Sequence, residues 1–532
     1  MKFKLLLATL IIAALAGIAA VTVIRSQDNM DVYSVSEAED EEITTLTWYI
    51  NYSWFDSEWG ENIVSKKITE ATGVKIEFIV PKGTESEKLD SMINTDTLPD
   101  LITIGWWETQ NQDMIEKDLV YALNDLAKQY EPGFFNVADE SRMRWYTQDD
   151  GNIYGYPNYS FTYEDFQENN MTSHQNFLVR KDIYEAIGSP DMTTPEGFCA
   201  AVKKAAEMFP EVDGEPLIPI GSDSFTTNGC TSFDSYLMNF LAVPYEKDGE
   251  YYDRYTDPEY IRWLKVFRKL GEEGYLKDEI FIDRRSQLEE KLTKGRYFCL
   301  IYQSKDIEEP QKQIYNEAPE RVYMAVEGPR NSKGDDPVLP VQGINGWTQT
   351  YVSKNCSAPS KAIKLITFLL SEEGQKLAYL GEEGTMYTVK DGTTVINPEV
   401  WQLMNTDRKT YEDIYGADDT YWMLQNGVSQ LQWPVPALAC FGQLREWTKP
   451  YTAYTGQYDL SFKDSKKAAL YDRMQYLWAE TLPKLLLSQS EEEFDKIMDA
   501  YVREREAEGY EEFKAAATEQ FKMNKEKLGI EE

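Results

Sequence analysis

The sequence predicts an α/β protein of two or more domains. Its 532 residues are 42% hydrophobic, which is ample apolar material for a large core. Near the N-terminus, short β-branched runs alternate with segments whose apolar residues recur at helical spacing. That alternation builds a mostly parallel sheet covered by helices.

The first folded segment, residues 43–51, is Thr-rich and β-branched and is expected as a strand. Trp59, Ile63, Val64, Ile68 and Ala71 then follow a helical period, with Gly73 where a C-cap belongs. Val74, Ile76, Phe78 and Val80 alternate with polar residues as a second strand. A helix containing Leu89, Met92 and Ile93 leads through Pro99 and Asp100 into a buried third strand, residues 101–104. Ligand sites in such sheets gather beyond the carboxyl ends of the strands. Those ends carry Trp54 after the first strand and Trp106, Trp107 and Glu108 after the third. Adjacent tryptophans at a strand end cannot both face one core easily, so at least one of Trp106 and Trp107 is expected at a cleft.

Asp257 and Pro258 supply an N-cap and first-turn pair for a helix through Tyr260, Trp263, Leu264, Phe267 and Leu270, with Gly271 as its C-cap. Residues 359–380 read as one further helix, and residues 471–527 as several helices dense in Glu and Lys. No internal repeat or low-complexity tract occurs.

Composition excludes several function classes. Lys and Arg total 54 against 91 Asp and Glu, a formal charge of −37 that repels phosphate backbones, so no nucleic acid partner is expected. Five cysteines cannot complete a disulfide framework and contain no C-x-x-C pair. Cys299, in an apolar run, is expected as a small buried hydrophobe. One histidine, His174, rules out H-E-x-x-H and multi-histidine metal clusters, and no G-x-S-x-G surrounds any serine. His174 is expected to be structural.

Lys2 and Lys4 precede the uncharged residues 5–24, the length of one bilayer crossing and also of a long signal-peptide core. Basic residues before it and acidic ones after it place the remainder of the chain outside the cell. Residues 1–25 are thus expected as a signal or membrane anchor, and residues 26–42 as an acidic tether. Leu15, Ala16 and Gly17 would open a lipobox, but Ile18 stands where the lipidated cysteine belongs.

Several phrases together resemble the extracellular solute-binding proteins of bacterial ABC sugar importers, of the maltose-binding type, in their long oligosaccharide-binding form. They include Thr47-Trp48-Tyr49-Ile50-Asn51, Ile68-Thr69-Glu70-Ala71-Thr72-Gly73-Val74, Leu98-Pro99-Asp100-Leu101-Ile102, Asp150-Gly151-Asn152-Ile153-Tyr154-Gly155-Tyr156-Pro157 and Val179-Arg180-Lys181-Asp182. Each phrase is weak alone, but they occur in the family's order.

The resemblance implies a two-lobed periplasmic-binding-protein-like fold (type II) with the ligand cleft between lobes and chain crossings near Tyr156 and Gly343. It places residues 44–157 and 340–400 in the N-terminal lobe, and 158–339 and 401–532 in the C-terminal lobe. It implies a receptor, not an enzyme, that captures an oligosaccharide and delivers it to permease subunits, as a monomer without cofactor. Long relatives carry a calcium loop, but residues 211–215 are too short to supply enough oxygens, so no metal is expected.

Aromatic residues make up 13% of the chain; their faces match the apolar faces of pyranose rings, and carboxylates and amides satisfy hydroxyls. By position the substrate-binding candidates are Trp54, Trp106, Trp107, Glu108, Tyr159, Gln303 and Trp347, with Trp433 and Trp447 as weaker ones. Three alternatives stay open: a secreted glycoside hydrolase, a non-sugar ligand on the same fold, and a surface sensor.

Overall fold

The computed structural model describes residues 43–82 and 85–530. The expected anchor (1–25) and tether (26–42) lie outside the described residues. Among the described residues no helix is long and apolar enough to cross a membrane. Residues Thr45–Glu532 cluster as one unit, within which two sheets each carry a core.

The principal strands are, in chain order, β1 (Thr44–Ile50), β2 (Val74–Ile79), β3 (Leu101–Gly105), β4 (Gly155–Pro157), β5 (Gln175–Arg180), β6 (Ile218–Gly221), β7 (Tyr297–Gln303), β8 (Tyr323–Ala325) and β9 (Thr348–Val352). The first sheet has the order β2-β1-β3-β9-β4 and the second β8-β5-β7-β6. β1 and β3 run parallel, whereas β9 is antiparallel to both β3 and β4. The expected, mostly parallel sheet therefore holds only for its N-terminal part. β9 returns from the second sheet and enters the first from the opposite end.

Alternation along the strands explains the cores on either side of the first sheet. Trp48 and Ile50 face one cluster with Val64, Ile68 and Leu101, while Tyr49 faces the other with Ile102, Ile104 and Tyr351. The loop into β3 is fixed by Asp100, whose carboxylate accepts from the Thr47 and Ser357 amides at 2.7 Å each. Burial opposes its charge, but these bonds and those of the two hydroxyls hold its pKa below the ordinary value.

The helix α1 (Ile63–Thr72) ends on Gly73 in the left-handed conformation, the expected cap. Asp257 caps α2 (Pro258–Glu272), accepting from the Glu259 and Tyr260 amides. Gly271 does not end this helix. It lies inside it, close to the Leu486 carbonyl, and Gly274 takes the left-handed turn instead. Residues 359–380 form two helices, Pro359–Leu370 and Glu372–Leu380. Ser371 is extended between them and caps the second through its hydroxyl. Residues 211–216 form a hairpin of two short strands, and Arg321 pairs with Asp213 at its turn.

The chain passes between the sheets three times: after β4, before β9, and between residues 424 and 440. Tyr411, Tyr421, Trp422, Met423 and Leu424 belong to the first lobe's core, although residues 401–532 were expected in the second. Their apolar side chains fill the face of the first sheet, and the crossing falls in the Pro-containing stretch after Leu431. α3 (Ala439–Thr448), α4 (Ser465–Leu487), α5 (Glu491–Ala507) and α6 (Tyr510–Leu528) follow. Cys440, Leu444, Trp478, Phe494 and Phe513 of these helices join the second core, which also buries Cys299.

On the outer edge of the second sheet, two glutamine side chains pair with β8 as a strand would. Gln311 bonds both the carbonyl and the amide of Tyr323, and Gln443 does the same for Ala325.

Candidate functional site

The carboxyl ends of β1 and β3 open toward a group of aromatic rings. Trp54 lies parallel to Trp347, centroids 6.0 Å apart at 5°. Trp347 contacts Trp422 at 4.4 Å and Tyr52 at 5.2 Å. Trp54 is 57% exposed, whereas Trp422 is 3% exposed. A buried pair thus supports a ring that projects into solvent. Trp422 was not expected at this place. It occurs in an apolar run, Tyr421 to Leu424, that reads as core, and its meeting with Trp54 arises only from the tertiary fold.

The turn after β3 separates the adjacent tryptophans. Their rings are nearly perpendicular, at 87°. Trp107 folds back over Gly105, where a Cβ would meet its ring at 2.7 Å, and remains 48% exposed. Trp106 is half-buried, its amide bonded to the Trp347 carbonyl, and it lines a cavity. Asn111 holds the turn by donating to the Gly105 and Glu108 carbonyls. The Glu108 carboxyl is pushed up to about 7 by burial, reinforced by Glu85 and Asp90. Beside it the Asn51 amide nitrogen and the Tyr52 hydroxyl are buried without a protein partner, which is an unmet demand for hydrogen bonds.

The cavity measures about 440 Å³, within the range of roughly 300–1,000 Å³ typical of small-molecule sites. The first lobe contributes Trp106, and the crossing before β9 contributes Gln342 to Gly346. The second lobe supplies His174, Gln303, Asp234, Tyr236 and much of the remaining wall. Asp234 sits on a π-helical turn, Ser232–Tyr236, a distortion frequent at functional sites. Its carboxylate accepts from the Cys230 amide at 2.7 Å, yet burial pushes its pKa up to about 7. Asp459 accepts from Asn345 at 2.9 Å and is likewise pushed up to about 7 by burial. His174 lies 3.2 Å from the Ser304 hydroxyl, and burial lowers its pKa to about 4, so the ring is neutral.

The expected site residues divide by position. Trp106 and Gln303 line the cavity, Gln303 donating to Asp306 at 2.5 Å. Trp54 and Trp347 form the stacked pair at its first-lobe side. Glu108 and Trp107 stand on the turn beside it. Tyr159 is placed differently: its hydroxyl lies 2.8 Å from both Asp419 and Gln425. Asp419 also binds Lys305 of the second lobe at 3.1 Å, so Tyr159 buttresses an ion pair between lobes. Trp447 stacks on Phe240 in the second core, and Trp433 lies under the Lys376 ammonium.

A family model for bacterial extracellular solute-binding proteins matches residues 64–388. The chain belongs to this family. No curated protein sequence matches it. Among solved structures, this solute-binding protein resembles the alginate-binding protein AlgQ2 without calcium ion, at 17% identity and TM-score 0.68, covering 91% of this chain and 98% of that one. It also resembles the Streptococcus pneumoniae ABC-transporter substrate-binding protein FusA in complex with kestose, at 15% identity and TM-score 0.69, covering 91% and 100%. A third is an HMO-binding, ABC-transporter-associated solute-binding protein from Bifidobacterium longum infantis, at 12% identity and TM-score 0.63, covering 92% and 99%. The fold is therefore the two-lobed one, and the family places the solute-binding protein outside the cytoplasm.

Proposed function

We propose that this solute-binding protein captures an oligosaccharide between its lobes and delivers it to an ABC permease. The observation that carries the reading is the interlobe cavity, where aromatic rings alternate with carboxyls and amides beside the stacked Trp54 and Trp347. Rings cover the apolar faces of sugars, and the polar groups satisfy hydroxyls that would otherwise be buried unpaired. The sugar-binding proteins of the same fold support the choice of ligand class. Attachment to the membrane runs through residues 5–24 without lipid, because Ile18 offers no thiol. Intact mass of protein extracted from native membranes tests this, and a diacylglyceryl adduct would refute it.

A glycan panel read by thermal shift tests the ligand class, since a ligand that binds only the folded state raises its melting temperature. Glycoside hydrolysis is the second reading, favoured by one observation: Asp234 and Asp459, both pushed up to about 7, face the same cavity. Chromatography after prolonged incubation separates the two. The receptor returns its glycan unchanged at one equivalent; multiple-turnover cleavage would establish the hydrolase.

A further inference from the structure

The cavity has a second compartment that lies away from the first lobe. From Trp106, His174 and Gln303 it continues into the second lobe and ends against α5 and α6. Tyr501, Arg505, Tyr510, Phe513 and Phe521 form that end, and each is between 2% and 8% exposed. The compartment is therefore blind: a chain can enter it but cannot run through. α6 builds it from two sides. Its Phe513 and Phe521 form the wall, while Asn524 donates to the Gln457 and Asp459 carbonyls and so holds the loop that presents Tyr458.

The lining is amphipathic. Tyr245 and Tyr458 stack at 5.0 Å and 3°, and Tyr458 meets Phe521 edge-on at 5.1 Å. Opposite them runs a relay in which the Tyr255 hydroxyl donates to Gln475 at 2.7 Å and the Gln475 amide donates to the Tyr471 hydroxyl at 2.8 Å. Tyr471 accepts in that relay, which leaves its own proton for a guest. Charge in the compartment is negative on balance. Arg505 is met by Asp253 at 2.6 Å and lies between the Tyr501 and Tyr510 rings. Arg254 donates to Asn239 and lies 3.9 Å over the Tyr245 ring. Against Arg254 stand two carboxyls, Asp234 and Asp459.

We propose that this blind compartment receives the terminal ring of the captured oligosaccharide, and that the ring is an uncharged sugar. The proposal rests on the oligosaccharide reading above. Aromatic faces and single hydroxyl-directed hydrogen bonds suit a neutral ring. A uronate would bring a third carboxylate toward Asp234 and Asp459 in a site with little water to screen it. The protein thus recognises a chain by its end, and α5 and α6 are part of the binding site.

The test uses four neutral tetraoses (malto-, manno-, galacto- and fructo-tetraose), each beside a partner whose terminal ring carries a carboxylate in place of its primary alcohol. Titration calorimetry on the full chain is expected to show at least one neutral tetraose binding tenfold or more tighter than its oxidised partner. Tyr471→Phe and Gln475→Leu should each weaken that tetraose about tenfold with an unaltered unfolding midpoint. Asp234→Asn should narrow the gap between the neutral sugar and its partner. If no tetraose or oxidised partner binds, the oligosaccharide reading itself fails and this inference with it. If tetraoses bind but oxidised partners bind equally well or better, or if Tyr471→Phe keeps full affinity, only the compartment assignment is overturned.

Discussion

Trp54 and Trp422 belong to one group of rings but differ in what their loss would do. Trp422 is 3% exposed and packs in the first core, so Trp422→Ala should cost about 3–5 kcal/mol of stability. Trp54 is 57% exposed, so Trp54→Ala should leave the urea midpoint nearly unchanged. If Trp54 stacks on the ligand, its removal should weaken binding by about 2 kcal/mol, roughly thirtyfold. Paired calorimetry and denaturant melts on both variants check the contrast. Equal losses of stability would assign both rings to the core. Asp234 carries a pH signature. Its folded pKa, about 7, lies above the unfolded value near 4. Its contribution to stability is therefore fully present below pH 4 and is lost as pH rises through 7. Asn keeps an acceptor for the Cys230 amide and does not titrate. Asp234→Asn should match the wild type at pH 4 and exceed it in melting temperature at pH 8; the reverse order would contradict a buried, protonated Asp234.

At the scale of elements, the crossing before β9 depends on a close approach of backbones. Gly346 has φ of 66°, and a Cβ there would collide with the Asn158 carbonyl. Gly346→Ala should cost about 1–3 kcal/mol from conformation alone, and the collision adds to it. A denaturant midpoint within error of the wild type would show that the two crossing segments can separate freely. Ser371→Ala should cost about 1 kcal/mol by removing the cap of Glu372–Leu380. These elements also show what the sequence makes legible. Gly73 after a helical period, Asp257 before Pro258 and the apolar run from Leu101 are local signals, and the structure has them as expected. Ser371 escaped notice because apolar spacing continues across the break, and one extended residue does not interrupt the period. Tyr471, Gln475 and Tyr501 escaped because they lie on helices rich in Glu and Lys, whose inner face is defined only by the cavity it meets. Trp106 and Gln303 were reachable because both end strands, and strand ends are places where ligands collect.

For the whole molecule, two lobes around a shared cavity predict an equilibrium between open and closed forms, shifted by any ligand that prefers the closed one. The radius of gyration from small-angle scattering should fall when a binding glycan saturates the protein. An unchanged profile would argue for a rigid cleft. The three crossings set the terms of this motion. Lys305 and Asp419, with Tyr159 behind them, bridge the lobes in the form described here. Lys305→Ala should therefore enlarge the radius of gyration of the unliganded protein, and an unchanged value would show that the ion pair does not hold the lobes together.

The two glutamines on β8 have a consequence for how such molecules live side by side. A terminal strand with free amides and carbonyls is a template on which a second chain can assemble. Gln311 and Gln443 occupy the outward-facing groups of Tyr323 and Ala325, and they do so from side chains that cannot propagate a ladder. A receptor crowded on a cell surface meets copies of itself far more often than it would at the same expression level in free solution. The amide clamps leave that encounter without a productive register, so the second sheet ends where its own chain ends it and fibrillar stacking finds no starting strand.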